Sequence, residues 1–373
     1  MPQDPAENSE RLRVVIAAGG TAGHLVPALA LADALRDRGA EVSFIGTGRG
    51  LEAELIPRAG YPLDRADLRG LERRLSLRFF LFLWSLLKGS IDCLAILRRR
   101  RPHVVVGGGG YVSAVPVFWA AMFRRPTLIM ELDSHMGLAN RVLSRVADRV
   151  ALSFPISGRS GGRYVLTGRP MGPALLDAAA ADGCRRFGLS QDRPVVLVTG
   201  GSQGARSINL ATADAFGRGP LSFQLVHVSG RRDCELVRKL LEEQGYDSGN
   251  YHLLDYTNDL PQAVAAADLV VSRSGASVLE IAALGKPALL VPYPHATADH
   301  QRKNAEWMAA AGAARIIDDR MLDAELLNKE VGALLGDRER LAAMAAASAA
   351  LGDRNGAGRI AAEVLRIARK NGK

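Results

Sequence analysis

The stretch SRSGASVLEIAALGKPALLVPYPHATADHQRKN, residues 272–304, decides the fold that we predict for this chain. An apolar strand at 269–271 leads into a turn at Gly275, and Ser277 can cap the helix that follows. A second apolar strand at 287–291 then leads into a polar loop. Strands in this order form a parallel α/β sheet, and such sheets bind nucleotides at the carboxyl edge of their strands.

The polar residues of this stretch predict how a nucleotide would be held. Glu280, in the first turn of the helix, can accept two hydrogen bonds from a ribose diol, and Gln301 lies in the loop after the second strand. Backbone N–H groups before the helix can bind phosphates, because a helix N-terminus attracts anions. These groups belong to the turn residues Ser274, Gly275, Ala276 and Ser277.

Composition narrows the class of protein. The chain has 373 residues, enough for two or three domains, and a net charge of +9 that suits an anionic partner. Aromatic residues make up only 5%, so nucleic-acid stacking platforms are scarce and we expect no nucleic-acid partner. The three cysteines, Cys93, Cys184 and Cys234, lack CxxC spacing, which argues against disulfides or a zinc site and favours a cytoplasmic protein.

The first residues and the apolar runs bear on targeting. Residues 1–11 are polar and are expected to form a disordered leader without a signal region. No run approaches the roughly 20 apolar residues that a membrane-spanning helix needs.

Strand, turn and helix alternate along the whole chain, and the pattern restarts near residues 167–175. This rhythm predicts two similar α/β halves, each with a parallel sheet covered by helices on both faces. The predicted strands are 13–18, 42–45, 103–106, 127–130, 149–152, 194–199, 223–228, 251–254, 269–271, 287–291 and 314–317.

Three further glycine-rich turns follow predicted strands: GGTAGH at 19–24, GGGGYVSAVP at 107–116 and GGSQGARSIN at 200–209. Each can cradle a phosphate at a helix N-terminus, although a tight strand-to-helix turn explains GGTAGH equally well. His24 stands at the rim of the first turn, where a histidine can act as a general base near neutral pH; a packed or capping histidine is the alternative. The other candidate ligand-binding residues of these turns are Tyr111, Ser202 and Gln203.

Residues 71–88, LERRLSLRFFLFLWSLLK, combine an apolar run with basic residues. This pattern suits a helix that lies in a membrane interface with its cations on anionic headgroups; a buried core helix is the alternative. The residues that carry the membrane prediction are Arg74, Arg78, Phe79, Phe82, Leu83 and Trp84.

The sequence predicts neither a metal nor a cofactor. Asp133 and His135 lie close together, but no DxD motif and no second histidine cluster accompanies them. A glycosidase-like carboxylate pair, GxSxG, HExxH and GxxxxGK[ST] are all missing from the sequence, and no GxGxxG precedes an acidic residue as in an NAD enzyme.

Taken together, the motifs GGTAGH, GGGGYVSAVP, GGSQGARSIN, SRSGAS…E and PYPHATADHQ…NA resemble the MurG family over about residues 12–370. The resemblance implies the GT-B fold, with two Rossmann-like domains facing across a cleft. It also implies an inverting, metal-independent hexosyltransferase that moves N-acetylglucosamine from UDP-GlcNAc to lipid I and forms lipid II in peptidoglycan synthesis. The implied partners are an undecaprenyl-linked lipid, an anionic membrane surface on the cytoplasmic side and further cell-wall synthesis proteins.

The resemblance also divides the chain. It implies an acceptor- and membrane-binding domain over 12–168, a UDP-sugar domain over 169–340, and helices in 341–373 that cross back to the first domain.

Site residues follow from the matched motifs. The resemblance implies that His24 is the general base, with Glu131 as its rival, and that Glu280 holds the ribose. The loop around Thr257 would face uracil. The remaining implied substrate contacts are Thr21, Ala22, Gly23, Tyr111, Asp133, Asn140, Arg169, Ser202, Gln203, Ser274, Gly275, Ala276, Ser277 and Gln301.

Several positions depart from the family pattern. Ala22 replaces a glycine, the stretch 130–133 keeps only Glu131, and Arg169 stands near, but not at, the place of a donor-binding arginine. These changes leave two alternatives open. The first is a glycolipid synthase with another acceptor such as diacylglycerol, and the second is a non-catalytic protein that binds a UDP-sugar.

Overall fold

The computed structural model describes residues 11–68, 77–201 and 204–370, and for residues 77–86 it describes the helix but not the side chains. The predicted leader therefore lies almost entirely outside the described residues. Two compact units make up the chain: Met1–Gly172 together with Arg354–Lys373, and Pro173–Asp353.

The first unit is built on a seven-stranded parallel sheet with the order β3-β2-β1-β4-β5-β6-β7. Its central strands are almost entirely buried, because helices cover both faces of the sheet. The strands are β1 Arg13–Ala17, β2 Glu41–Gly46, β3 Leu63–Arg65, β4 Val104–Gly107, β5 Thr127–Glu131, β6 Arg149–Leu152 and β7 Tyr164–Leu166. The helices are α1 Ala22–Arg36, α2 Glu52–Arg58, α3 Leu77–Arg100, α4 Ala114–Met122 and α5 Leu138–Leu143, with a last one, α15 Gly356–Lys370, from the end of the chain.

The second unit is built on a six-stranded parallel sheet with the order β10-β9-β8-β11-β12-β13. Its strands are β8 Val195–Thr199, β9 Gln224–Val228, β10 Tyr251–Leu254, β11 Leu269–Ser272, β12 Ala288–Leu290 and β13 Ala314–Ile316. Its helices are α6 Pro173–Leu176, α7 Ala180–Phe187, α8 Arg206–Phe216, α9 Cys234–Gln244, α10 Leu260–Ala266, α11 Val278–Ala283, α12 His300–Ala310, α13 Ala324–Gly336 and α14 Arg338–Leu351.

Both sheets reverse their strand order at one point, between β1 and β4 in the first unit and between β8 and β11 in the second. Ligands of open α/β sheets bind at such a switch point, outside the carboxyl ends of the strands. The four glycine-rich stretches singled out in the sequence leave these four strands. The fold therefore brings them together in pairs, one pair in each unit.

Two strands escaped the sequence prediction. The edge strands β3 and β7 have three residues each and only partial burial, so they show neither the apolar run nor the alternation that marks a strand.

The predicted crossing of residues 341–373 is wrong for its first part. Helix α14 stays in the second unit, where the Ser348 hydroxyl donates to the carbonyl of Lys286 at 2.8 Å, and only α15 belongs to the first unit. There α15 packs on α1 and adds apolar side chains to the core. These side chains are Ile360, Ala361, Val364, Ile367 and Ala368.

No helix in the described part of the chain is long and apolar enough to cross a membrane. The residues named for membrane binding, from Arg74 to Trp84, lie either outside the described residues or in the part of α3 whose side chains are not described.

Candidate functional site

The GGTAGH turn places His24 at the switch point of the first unit. Gly20 has a φ of +94°, which a residue with a Cβ rarely adopts. Thr21 precedes α1, and its carbonyl accepts the N–H groups of His24 and Leu25, both at 3.1 Å. The Thr21 hydroxyl lies 3.1 Å from Nδ1 of His24. The turn therefore orients the imidazole through its Nδ1 atom.

The glycine loop after β4 packs against the other side of the same ring. Gly109 has a φ of +99°, and a Cβ added there would lie 2.5 Å from Cδ2 of His24. A Cβ on Gly108 would lie 2.9 Å from that of Ala18. The run of glycines thus lets the loop approach β1 and the imidazole closely. Tyr111 follows the loop and is 41% exposed, so it is available to a ligand.

Burial lowers the pKa of His24 below its usual 6.5, while the nearby Asp133 carboxylate raises the pKa and the Arg169 guanidinium lowers it. The ring is therefore neutral at pH 7 and able to accept a proton. Asp133 and Arg169 both lie close enough to His24 to act on it, so the structure brings three of the predicted residues together.

Arg169 belongs to the first unit and not, as predicted, to the second. It is 4% exposed, and its Nη2 donates to the carbonyl of Gly23 at 3.1 Å. A buried guanidinium needs such acceptors, because an unpaired buried charge is strongly unfavourable. Arg169 therefore holds the first turn of α1.

Glu131 is buried at the end of β5, where three donors reach its carboxylate. These are the N–H of Asp133 at 3.2 Å, the N–H of Gly137 at 3.1 Å and the side-chain amide of Asn140 at 3.0 Å. Asn140, itself buried, also donates to the carbonyl of Met130. Burial raises the pKa of Glu131 to about 7, against these hydrogen bonds, which lower it. Glu131 and Asn140 therefore shape the loop 132–139.

In the second unit, the described glycines after β8, Gly200, Gly201 and Gly204, lie close to one another and to Ala205. The N–H of Gly204 donates to the carbonyl of Gly201 at 2.9 Å, and a Cβ on Gly200 would lie 2.2 Å from the nitrogen of Ala205. Helix α8 starts directly after the turn, so its N-terminus points toward the carboxyl edge of the sheet. Ser202 and Gln203 lie outside the described residues.

The turn after β11 carries Ser274, Gly275, Ala276 and Ser277, and helix α11 follows. Glu280 lies in the first turn of α11 as predicted and is half-buried. The capping predicted for Ser277 is wrong: the residue has helical backbone angles and its side chain makes no cap bond. Its carbonyl instead accepts the N–H of Glu280 at 2.9 Å, so Ser277 is already part of the first helical turn.

Gln301 and Ser274 are joined in the same half-site. The Ser274 hydroxyl donates to the carbonyl of Gln301 at 2.8 Å, and Oε1 of Gln301 accepts the N–H of Tyr293 at 3.0 Å. Just before α12, Ala298 and Asp299 both have a φ of +54°. Such conformations are unfavourable for residues with a Cβ and cluster at functional sites.

Thr257 lies in the loop after β10, and β9 and β8 separate that strand from β11. Its hydroxyl accepts the N–H of Asp259 at 3.0 Å and so orders the loop. The structure thus places Thr257 at the same edge of the sheet as Ser274, with two strands between the strands that they follow.

Within the described ranges, no group of three His, Cys, Asp or Glu side chains is arranged to hold a metal ion. The cysteines Cys93, Cys184 and Cys234 are buried and free.

Comparisons with known proteins place the chain in a family. Residues 14–152 match the glycosyltransferase family 28 N-terminal domain, and residues 195–360 match its C-terminal domain. A relative from Moorella thermoacetica is 43% identical over 353 residues, with 91% of this chain and 95% of the relative covered. A relative from Desulforamulus reducens is 38% identical, also over 91% and 95%. Both are named UDP-N-acetylglucosamine--N-acetylmuramyl-(pentapeptide) pyrophosphoryl-undecaprenol N-acetylglucosamine transferase.

A solved structure of MurG from Acinetobacter baumannii is 28% identical and has a TM-score of 0.76, with 95% of this chain and 99% of that chain covered. The chain belongs to the MurG family. It is therefore a glycosyltransferase with the GT-B fold, and the family and fold predicted from the motifs are confirmed. The calicheamicin glycosyltransferase CalG4, at 17% identity and a TM-score of 0.70, shares the fold.

Two polar features of this MurG-family chain escaped the sequence prediction. Glu52, 2% exposed, accepts the N–H of Gly20 at 3.3 Å and the hydroxyl of Thr47, so it ties the GGTAGH turn to the end of β2. Arg273 donates to Asp319 at 2.6 Å and to the Ser207 hydroxyl at 2.8 Å, and so joins α8 to the end of β13. Arg273 could have been found from the sequence, because it directly precedes the predicted ligand-binding residue Ser274.

Proposed function

We propose that this chain transfers N-acetylglucosamine from UDP-GlcNAc to the muramyl sugar of undecaprenyl-pyrophosphate-linked lipid I, which forms lipid II in peptidoglycan synthesis. The observation that carries the proposal is the 43% identity to a relative of that name over 95% of the relative's length. Glycine turns at the switch point of each unit supply two half-sites for anionic substrates.

The test is transfer of labelled GlcNAc from UDP-GlcNAc to a lipid I analogue by the full chain, with diacylglycerol as a competing acceptor. We expect product on lipid I only, and product that persists in EDTA, because the proposed reaction needs no metal or cofactor. UDP-GlcNAc binding without transfer to either lipid would contradict the proposal, and transfer to diacylglycerol would assign a different acceptor.

His24 is the proposed general base. It removes the proton from the acceptor hydroxyl as that oxygen attacks the anomeric carbon, and the bond to UDP breaks with inversion. Two observations support His24 over Glu131: the imidazole is held neutral, whereas the Glu131 carboxylate is buried and engaged by three donors from its own loop. Glu131 and Arg169 then shape the acceptor side without taking the proton.

The leaving UDP gains negative charge, which the second unit would stabilise. N–H groups at the starts of α8 and α11 are preorganised donors for phosphate oxygens. Removal of one such donor typically raises a reaction barrier by about 2.7–4 kcal/mol. We propose that Glu280 holds the ribose, that Gln301 contacts the donor sugar nucleotide and that the Thr257 loop faces the base.

Glu280→Ala is expected to raise the KM for UDP-GlcNAc about 10- to 100-fold and to change kcat less than about threefold. The reason is that hydrogen bonds to a charged group contribute about 1.5–3 kcal/mol and a ribose contact acts equally before and during the reaction. Steady-state kinetics with varied donor measure both constants. Glu306→Ala, an exposed carboxylate on α12, is the matched control and should resemble the wild type. A fall in kcat alone would argue against a ribose role.

We propose that the chain is a peripheral protein of the cytoplasmic membrane face. Described residues next to the predicted membrane stretch support this proposal. Helix α4 packs against both α3 and α5, and these three helices and the turns after α4 and α5 expose large apolar side chains beside basic ones. The apolar residues are Leu87, Ile91, Phe118, Met122, Phe123, Leu138 and Val142, and the exposed basic residues are Lys88, Arg124, Arg125, Arg141 and Arg145.

Replacing Phe118 and Met122 together by serine is expected to weaken binding to vesicles of anionic phospholipid at least about tenfold. The two side chains lie one helical turn apart, are 42% and 50% exposed, and would lose their insertion into the acyl boundary. Co-sedimentation with vesicles measures the effect. Met321→Ser, which changes an apolar side chain 67% exposed in the second unit, is the control. Equal binding by both variants would refute the proposed surface.

A further inference from the structure

Three buried polar side chains form a chain of hydrogen bonds inside the second unit. Asn209 lies on α8, His227 on β9 and Tyr251 on β10, and their exposed fractions are 0%, 0% and 2%. Nε2 of His227 lies 3.0 Å from Oδ1 of Asn209, and its Nδ1 lies 2.7 Å from the Tyr251 hydroxyl. A buried network of this kind adds specificity to a core only when every member is paired.

The direction of each hydrogen bond follows from the carbonyl of Ser229. A carbonyl oxygen only accepts, so the amide nitrogen of Asn209, 2.8 Å away, donates to it. Oδ1 of Asn209 must then accept, which requires the proton of His227 to be on Nε2. Nδ1 is left as an acceptor for the Tyr251 hydroxyl. Burial lowers the pKa of His227 to about 3, so the ring stays neutral and keeps this tautomer.

The carbonyl at the end of this chain of bonds supports the glycine turn after β8. Gly204 has a φ of +71°, and a Cβ added there would lie 2.4 Å from the carbonyl oxygen of Ser229. The turn therefore rests directly on that oxygen. The Asn209 amide also lies 3.4 Å from the Asp233 carboxylate, which precedes α9. The Asn209 side chain thus fixes the carbonyl of Ser229, and the turn before α8 packs against that carbonyl.

We propose that His227 and Asn209 are positioning residues for the donor diphosphate: they hold the Ser229 carbonyl so that the turn at Gly204 aims the N–H groups at the start of α8. The proposal rests on the proposed function, because it takes the donor to be a nucleoside diphosphate sugar. His227 acts through Asn209 and touches no substrate.

Two substitutions of His227 separate the two ends of the ring. In His227→Gln the side-chain amide nitrogen takes the place of Nε2 and still donates to Asn209. In His227→Asn the side-chain oxygen takes the place of Nδ1 and still accepts from Tyr251, but the donor to Asn209 is lost. Tyr251→Phe is the matched control, because it breaks the other hydrogen bond of the same ring and leaves the one to Asn209 in place.

The readout is the affinity of the full chain for UDP by calorimetry, alongside the donor KM and the thermal unfolding temperature. We expect His227→Asn to weaken UDP binding about tenfold or more, and His227→Gln and Tyr251→Phe to stay within about threefold of the wild type. A role in stability alone would lower the unfolding temperature of His227→Asn and Tyr251→Phe alike and leave UDP affinity unchanged. That result, or equal weakening by both His227 variants, would overturn the proposal.

Three further outcomes keep the test decisive. If His227→Asn does not fold, Asn209→Ala removes the same support from the other end and should weaken UDP binding equally. If the wild type transfers GlcNAc while all variants bind UDP alike, the positioning role fails and the proposed function stands. If the wild type binds no UDP, the proposed function itself fails.

Discussion

His24→Ala is expected to lower kcat about 10²- to 10⁴-fold, with a donor KM that changes less than about threefold. A positioned base contributes this much because it takes the proton of the attacking hydroxyl in the transition state. The imidazole is suited to that task, since Thr21 and Gly109 fix the ring and burial keeps it neutral. Steady-state transfer of labelled GlcNAc to a lipid I analogue measures both constants.

The same role sets the pH dependence of the wild type. A base works only when unprotonated, and the pKa of His24 is lowered from 6.5. We therefore expect the acidic fall of kcat/KM to have its midpoint below pH 6.5, the ordinary value of a histidine. His252→Ala is the control, since this half-buried histidine lies on β10 away from His24 in the sequence and in another unit. An unchanged kcat in His24→Ala would remove His24 as the base.

Gly109→Ala is expected to lower kcat about 10²-fold although it removes no functional group. The added methyl would lie 2.5 Å from Cδ2 of His24, so the ring must move, and a displacement of about 1 Å in a reacting group can cost that much. The φ of +99° adds strain to any residue with a Cβ. The measurement is again kcat for transfer, together with the thermal unfolding temperature.

Gly60→Ala separates strain from the clash with His24. Gly60 has a φ of +81°, but no atom lies within 4 Å of the position of an added Cβ. This variant should lose some stability and keep its kcat within about twofold of the wild type. If both glycine variants lose activity to the same degree, the close approach of Gly109 to the imidazole is not what positions the base.

The sequence was sufficient for the sheets because their central strands are nearly continuous apolar runs. Strands such as β8 and β11 are where the pattern predicts them. The division of the last segment was not predictable, because α14 and α15 are both rich in alanine. What separates them is tertiary: a Cβ on Gly352 would lie 2.3 Å from the carbonyl of Ala282, and one on Gly356 would lie 2.3 Å from that of Arg169.

The candidate site was predictable to the extent that it follows strand ends. His24 and Glu280 both come directly after glycine turns at the carboxyl edge of a sheet, and the structure places them there. Glu52 and Asn209 were missed because their partners, Gly20 and Ser229, lie 32 and 20 residues away. His227 did leave a signal: it is a lone polar ring inside the fully buried strand QLVHV.

The return of α15 to the first unit has a consequence for synthesis. The apolar face of α1 is covered by residues 360–368, which leave the ribosome only after the whole second unit has been made. Domains generally fold as they emerge, with the N-terminal one first. Here the second unit is one uninterrupted stretch of chain, so it can finish folding before the first unit does. The first unit still lacks α15 at that point. The half of the protein that is translated first is the half that is finished last.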